Sequence, residues 1–221
     1  MGDNALGACT TGINNTAFGA QAGSAITEGQ ENVAVGAYAL DAVTTASYST
    51  AVGTSSLGAA TSGGFNTAFG RHSGVAVTTA SGLVLIGERA GGVMTTGGNN
   101  TALGQLSLAA TTTGATNVAV GTTAGNAITT GANNTAIGAS SNQVTTTGNS
   151  NTHIGTLARA SGTGTTQEMV MGYNSVGKGD TTAFINPGTG PVYAGNNATT
   201  FSQTSDRRIK KDIIPNNKGL E

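Results

Sequence analysis

NTAFG, residues 15–19, is the stretch that decides the fold, because it returns along the chain in a fixed register. From its last residue onward, every seventeenth position is glycine: Gly19, Gly36, Gly53, Gly70, Gly87, Gly104, Gly121, Gly138, Gly155 and Gly172. An unbroken period of this length is typical of a solenoid, in which each repeat forms one coil stacked on the previous coil.

The repeat reads Asn-Thr-Ala-φ-Gly-x-x-Ala/Ser-Gly/Leu-x-Ala-φ-Thr-Thr-Gly-x-x, where φ is a large apolar residue. We number its positions 1 to 17. The ten coils begin at Asn15, Asn32, Ser49, Asn66, Leu83, Asn100, Asn117, Asn134, Asn151 and Glu168. Stacking aligns each position into a column, so the composition of a column predicts its environment.

Positions 2 and 4 predict one short β-strand per coil. Position 4 is apolar in every coil, from Phe18 to Met171, and position 2 is threonine or valine until Met169. Because alternate residues of a strand share a face, we expect both columns in the interior. Position 13 is threonine from Thr27 to Thr163, and we expect it in a second short strand. A helix is disfavoured, since glycine and β-branched residues each cost it roughly 0.5–1 kcal/mol. The chain is therefore predicted to be an all-β solenoid, or β-roll.

Position 1 is asparagine in most coils. Stacked asparagines form ladders of side-chain amides that stabilise turns. The alternative is a polar stripe that binds a ligand, and the ladder is the favoured interpretation.

The predicted core is thin, because each coil has only one reliable large apolar side chain to offset the entropy of ordering seventeen residues. Alanine columns at positions 3, 8 and 11 would let another chain approach closely. We therefore expect the coils to bury a face against partner chains, although the period does not determine their number.

Composition excludes several classes of function. Charged residues make up 9% of the chain, against a typical ~25%, and the net charge is −1. This balance gives no reason to expect nucleic acid or membrane insertion. Cys9 is the only cysteine, and His72 and His153 stand far apart, so we predict no disulfide, metal or cofactor. No apolar run is long enough to span a membrane, and no signal peptide opens the chain.

The chain divides into three segments. The solenoid is predicted over 1–172, a turn-rich β connector over 173–204, and a highly charged segment over 205–221. The composition shift near residue 205 predicts a domain boundary there.

Two stretches resemble known families. The NTAφG coils resemble the repeats of phage tail-fibre proteins and, more loosely, the β-roll heads of trimeric autotransporter adhesins. SDRRIKKDI, residues 205–213, is similar to the opening of the intramolecular chaperone auto-processing domain of tail fibres and endosialidases, which begins Ser-Asp-x-Arg-x-Lys. The resemblance implies a parallel homotrimer, whose assembly the chaperone domain assists before cutting itself off.

The same resemblance implies the residues of the self-cleavage. The scissile bond would be Thr204–Ser205, with Ser205 as nucleophile and Lys210 as its base, because a serine hydroxyl needs an adjacent base and a desolvated lysine can serve. The family domain continues for many tens of residues beyond this opening, so cleavage is an expectation for the full-length protein. The alternative is a charged helix start, with Ser205 as N-cap and Asp206 in the first turn.

Other candidate sites are weaker. Arg71 and Glu88 occupy position 6 of successive coils and predict a surface ion pair, with His72 and Arg89 beside them as possible receptor contacts. Among the aromatic residues, Tyr38 and Tyr48 are the candidates for stacking on sugars.

Three chemistries are disfavoured by their residues. Glu28 and Glu31 straddle a corner and do not form a glycosidase pair. Asp41 is too isolated for a calcium-binding β-roll. Ser161 to Thr166 lacks the ending of a phosphate loop.

Together with these features, the resemblance implies the structural and adhesive shaft of a trimeric phage tail fibre in the virion. We expect no enzymatic activity beyond a single self-cleavage. The expected partners are two further copies, other tail proteins and a host receptor, for which a polysaccharide is one candidate. The alternatives are a trimeric adhesin on a bacterial surface and an ice-binding solenoid, since threonine columns can order water.

Overall fold

The computed structural model describes residues 2–188, 192–194 and 202–203. These residues form one thirteen-stranded sheet and contain no helix. The strands are β1 Thr16–Phe18, β2 Val33–Val35, β3 Thr50–Val52, β4 Thr67–Phe69, β5 Val84–Ile86, β6 Thr101–Leu103, β7 Val118–Val120, β8 Thr135–Ile137, β9 Thr152–Ile154, β10 Met169–Met171, β11 Ala183–Ile185, β12 Val192–Ala194 and β13 Ser202–Gln203.

Each strand pairs with the strand of the next coil, in sequence order and in parallel up to β11. The register carries every residue onto its equivalent seventeen positions later, as in Phe18 opposite Val35. After β10 the step shortens, so that Met169 pairs with Ala183, and β12 and β13 then run antiparallel. The predicted all-β solenoid of about ten coils is confirmed.

The glycine column at position 5 forms a corner that no other residue fits. Its φ angles lie between 121° and 137° in the coils from Gly19 to Gly172. A Cβ added to Gly70 would lie 2.7 Å from the carbonyl oxygen of Gly87 in the next coil. Both the backbone conformation and the close approach therefore require glycine.

The strand faces are the reverse of the sequence prediction. Position 3 points inward, and Ala51, Ala68 and Ala102 are fully buried. Positions 2 and 4 point outward, and Phe18 and Phe69 are 64% and 55% exposed. The two-residue period was predicted correctly, but its phase was wrong. In most coils the interior is already filled from other positions, so position 3 holds alanine and the larger side chains lie outside; Leu85, His153 and Val170 are the buried exceptions at this position.

The interior is filled mainly from positions 9 and 12, which compensate each other in size. Gly91 at position 9 accompanies Met94 at position 12, whereas Leu57 accompanies Ala60. A Cβ on Gly91 would lie 2.9 Å from Leu85, so a larger residue would overpack this layer. In these coils a small residue at one position makes room for a large residue at the other, whereas in coil 2 both positions are large, with Leu40 and Val43.

Two other predictions about columns are wrong. The alanines and serines of position 8, such as Ala39 and Ser73, are fully buried within their own chain, as is most of position 3. These columns therefore cannot receive a partner chain. Position 11 remains half-buried in most coils.

Position 13 forms a bend and no second strand. Thr78 illustrates its bonding: both its N–H and its Oγ1 donate to the carbonyl oxygen of Thr95, at 3.0 and 3.2 Å. The threonines thus connect successive coils without strand geometry.

The asparagine ladder is confirmed. Asn117 is buried, and its Nδ2 donates to Asn100 Oδ1 at 3.2 Å and to the Gly131 carbonyl at 2.9 Å. Its Oδ1 accepts from the N–H and Nδ2 of Asn134, at 2.9 and 3.1 Å. Because the column is buried, it cannot act as a binding stripe.

Candidate functional site

The largest unusual surface is the outer face of β1–β10, which we call the sheet face. It consists of the outward side chains at positions 2 and 4, and none of them is charged. Leu103, Ile137 and Met169 are 42%, 38% and 40% exposed on it. Its members are Thr16, Phe18, Val33, Val35, Thr50, Val52, Thr67, Phe69, Val84, Ile86, Thr101, Leu103, Val118, Val120, Thr135, Ile137, Thr152, Ile154, Met169 and Met171.

This face is flat and continuous because parallel pairing places each coil directly above the last. With strands ~4.8 Å apart, ten of them give an apolar strip about 45 Å long. Soluble monomers rarely leave so large an apolar area uncovered. The arrangement suits association with another apolar surface of the same length.

A groove lies beside the sheet face over coils 4 to 6. It has a volume of about 350 Å³ and is lined by His72, Val75, Arg89, Gly92, Val93, Leu106 and Ala109. These residues occupy positions 7, 10 and 11, so none belongs to the sheet face. The floor is aliphatic, and Arg89 and His72 supply its polar edge.

A charged ladder runs along position 6 next to the groove. Arg71 donates to Glu88, and Gln105 Nε2 donates to the same carboxylate at 3.0 Å. The hydrogen bonds from Gln105 and then Arg71 hold the pKa of Glu88 below its ordinary value. The predicted surface ion pair is confirmed; Arg89 forms no salt bridge with Glu88, although its charge also lowers the pKa of that carboxyl.

Of the two tyrosines proposed to stack on sugars, Tyr38 and Tyr48 are 44% and 49% exposed. Tyr48 already stacks on Phe65 of the next coil, with ring centroids 4.9 Å apart and planes at 16°. Phe65 is 66% exposed and was missed by the sequence analysis, although both aromatics occupy position 17 and the repeat therefore aligns them.

A buried polar cluster closes the solenoid at its C-terminal end. His153 replaces the alanine of position 3, and Glu168 replaces the asparagine of position 1. Both side chains are fully buried, with His153 Nε2 3.9 Å from Glu168 Oε2. The carboxylate accepts hydrogen bonds from the N–H groups of Gly179 and Ser161, at 2.7 and 3.1 Å.

Glu168 ends the asparagine ladder by reversing its polarity. An asparagine donates to the carbonyl of the next coil, whereas Glu168 accepts the N–H of Gly179 from the segment that replaces that coil and the N–H of Ser161 from coil 9. Burial raises the pKa of Glu168, but the His153 ring and the two backbone hydrogen bonds outweigh it, so the pKa lies below its ordinary value. The sequence signal was the substitution of ionisable residues into two columns that are mostly alanine and asparagine and otherwise uncharged.

The remaining candidates among the described residues do not form a site. Ser205 and Lys210, like the predicted helix start, lie outside the described residues. Glu28 and Glu31 are both exposed. In the described part of the chain, no three His, Cys, Asp or Glu residues are grouped to hold a metal ion.

Within the same residues there is no helix long and apolar enough to cross a membrane. Comparison of the chain with protein-family models, curated proteins and solved structures finds no match.

Proposed function

We propose that this chain is the structural shaft of a homotrimeric phage tail fibre that takes part in host attachment. The observation that carries the proposal is the sheet face, an uncharged apolar strip that runs along all ten coils. The NTAφG coils and the SDRRIKKDI stretch supply the resemblance from which trimer and tail fibre are drawn.

The sheet face supports association in register. Every coil presents the same two outward positions at the same place, so two parallel copies can match coil with coil along their whole length. Such contacts would cover side chains that are exposed in one chain, including Phe18 and Phe69. Burial of this apolar area, at roughly 25 cal/mol per Å², then adds stabilising free energy that the small interior of a single chain does not provide.

The shape of the chain suits a shaft. A rod of ten stacked coils is stiff along its axis, because each coil is bonded to the next through the strand, the threonine column and the asparagine ladder. Such a rod would hold a distal receptor-binding part at a fixed distance and direction from the tail.

The experiment that tests the proposal measures mass in solution. The purified chain is expected to run as a trimer in size-exclusion chromatography with multi-angle light scattering. Ile86→Asp would place a carboxylate on the sheet face, which is expected to dissociate the trimer because an unpaired buried charge is costly. Thr79→Asp, at an exposed position outside the face, is the matched control. A folded wild-type monomer would refute the proposal.

The C-terminal segment is proposed to assist trimerisation and then to be released. Ser205 Oγ would attack the carbonyl carbon of Thr204 while Lys210 accepts the hydroxyl proton. The Thr204–Ser205 C–N bond would then break as Lys210 returns the proton to the Ser205 nitrogen, and water would hydrolyse the resulting ester to release the segment. Mass spectrometry of the full-length gene product, beside its Ser205→Ala variant, tests this step. If the wild type and Ser205→Ala have the same mass apart from the substituted residue, self-cleavage at Thr204–Ser205 is ruled out.

Two alternatives keep some support. A trimeric adhesin of a bacterial surface would use the same coils and the same sheet face, and electron microscopy of the source particle separates it from a phage fibre. Ice binding is favoured by the exposed threonines of position 14, which are Thr45, Thr79, Thr96, Thr113, Thr130 and Thr147.

The ice-binding alternative is weakened by the neighbouring column. The position 13 hydroxyls, such as that of Thr95, donate to carbonyls of the next coil and so are not free to order water. An ice-recrystallisation assay without inhibition would dismiss this function.

A further inference from the structure

The groove over coils 4 to 6 exists because one column lacks a side chain. Position 10 carries Val75 in coil 4 and Ala109 in coil 6, but Gly92 in coil 5 between them. The missing side chain opens the floor, and Val93 and Leu106 form part of its walls. Position 11 is alanine in most coils, so Val93 also adds apolar surface where the repeat usually has little.

Backbone geometry does not demand the glycine. Gly92 is not in the left-handed region, and the three atoms nearest to a Cβ there would all belong to Arg89, the closest being its carbonyl oxygen at 3.2 Å. Val75 and Ala109 carry side chains at the equivalent position. The open floor is therefore a property of this surface that the fold does not require.

A cation stands at the edge of this apolar space. Arg89 lines the groove, and among the described residues it forms no salt bridge and no side-chain hydrogen bond. The neighbouring carboxylate, Glu88, is occupied by Arg71 and Gln105. A guanidinium beside an apolar floor favours an anion, and its planar fork matches a carboxylate.

We propose that the groove binds a short aliphatic carboxylate. The apolar chain would lie over Gly92 against Val75, Val93 and Leu106, and its carboxylate would accept hydrogen bonds from Arg89. The groove spans three coils, about 10 Å at ~4.8 Å per coil, which is the length of an extended acid of roughly six to eight carbons. Its volume of about 350 Å³ lies within the usual range for small-ligand sites.

The inference does not rest on the proposed trimer. All the lining residues belong to one chain, and none lies on the sheet face. Binding can therefore succeed or fail independently of the oligomeric state, and light scattering on the same samples distinguishes the two outcomes.

The test is calorimetric titration of the whole chain with sodium hexanoate, and with hexanamide as the neutral analogue of the same shape. Hexanoate is expected to bind in the millimolar range and hexanamide at least about tenfold more weakly, since the charge-assisted hydrogen bond is lost. Arg89→Gln should cause a similar loss. Arg159→Gln removes an equal charge from coil 9, outside the groove and away from Glu88, and should leave the affinity unchanged.

A second variant tests the apolar floor. Gly92→Val should fill the groove and abolish hexanoate binding while circular dichroism and mass stay as in the wild type. If that variant fails to fold, Val93→Gln replaces it, with the same expected loss.

The proposal is overturned if hexanoate does not bind the wild type, or if Arg159→Gln and Arg89→Gln weaken its binding equally. It is also overturned if a peptide with a free C-terminal leucine binds and hexanoate does not, because the occupant would then be a protein terminus.

Discussion

The asparagine ladder predicts a large and local loss of stability when one amide is removed. Asn117 is buried in the middle of an unbroken run from Asn100 to Asn151. In Asn117→Ala the N–H of Asn134 loses its side-chain acceptor, and the carbonyl of Gly131 loses its side-chain donor. Two buried polar groups without partners cost about 1–3 kcal/mol each, so we expect a loss of about 4 kcal/mol.

The chain itself provides the graded variant. Ser49 stands in the ladder where other coils have asparagine, and its Oγ still accepts the N–H of Asn66 at 3.3 Å. Asn117→Ser should therefore restore one of the two lost bonds and about half of the lost stability. Asn126→Ala, in the same coil at a half-buried position, is the matched control and should change little.

The assay combines urea denaturation at fixed protein concentration with amide hydrogen exchange. Global unfolding gives the free energy, and exchange at Asn134 reports the orphaned N–H directly. If Asn117→Ala loses less than about 1 kcal/mol, or if exchange at Asn134 is unchanged, the ladder does not stabilise the stack as these bonds indicate.

Three further predictions follow from single sites. The pKa of Glu168 is lower in the folded chain than its value of 4.5 in the unfolded chain, so the ionised carboxylate stabilises the fold above that pH. The urea midpoint should therefore fall as the pH drops below 4.5, and Glu168→Gln should flatten this dependence. A midpoint with the same pH dependence in both proteins would contradict it. Gly70→Ala places a Cβ against Gly87 at a residue whose φ is 135°. The free energy of unfolding, measured by thermal denaturation, should fall by about 3 kcal/mol or more. A fall of less than about 1 kcal/mol would mean that the corner can relax. Phe65→Ala removes the stack on Tyr48 and should lower the free energy of unfolding by about 1 kcal/mol more than Tyr38→Ala does. Equal losses in the two variants would show that the stack does not stabilise the fold.

The solenoid could be predicted because its signal is repeated. A glycine every seventeen residues, with an apolar residue before it, constrains each coil in the same way. The coil length and number can therefore be predicted even where the environment of one column is assigned wrongly. The corner at Gly70 and the ladder at Asn117 both follow from the requirement that like residues stack on like.

The faces of the strands could not be predicted from size and polarity. Phe18 and Phe69 are the most apolar residues of their strands, and hydrophobicity alone would bury them. The alternation of a strand determines which residues share a face, but it does not determine which face is inside. That choice depends on the width of the coil, set by the turns around positions 5 to 9 and by the packing of residues such as Leu57 and Met94.

One candidate site could also be predicted from the sequence, and another could not. The Arg71–Glu88 pair follows from the period, since both occupy one column of adjacent coils. The groove beside it depends on six side chains from three columns meeting around Gly92, and no spacing in the chain shows that these columns converge.

The amino-acid sequence by itself determined the coil length, the number of coils, the glycine corner and the asparagine ladder, because each is a property of one column repeated along the chain. Only the tertiary structure decided which side of each strand faces outward, and with it the apolar sheet face, the groove and the buried His153–Glu168 pair. These depend on how different columns pack across the coil, and a period along the chain carries no information about distances across it.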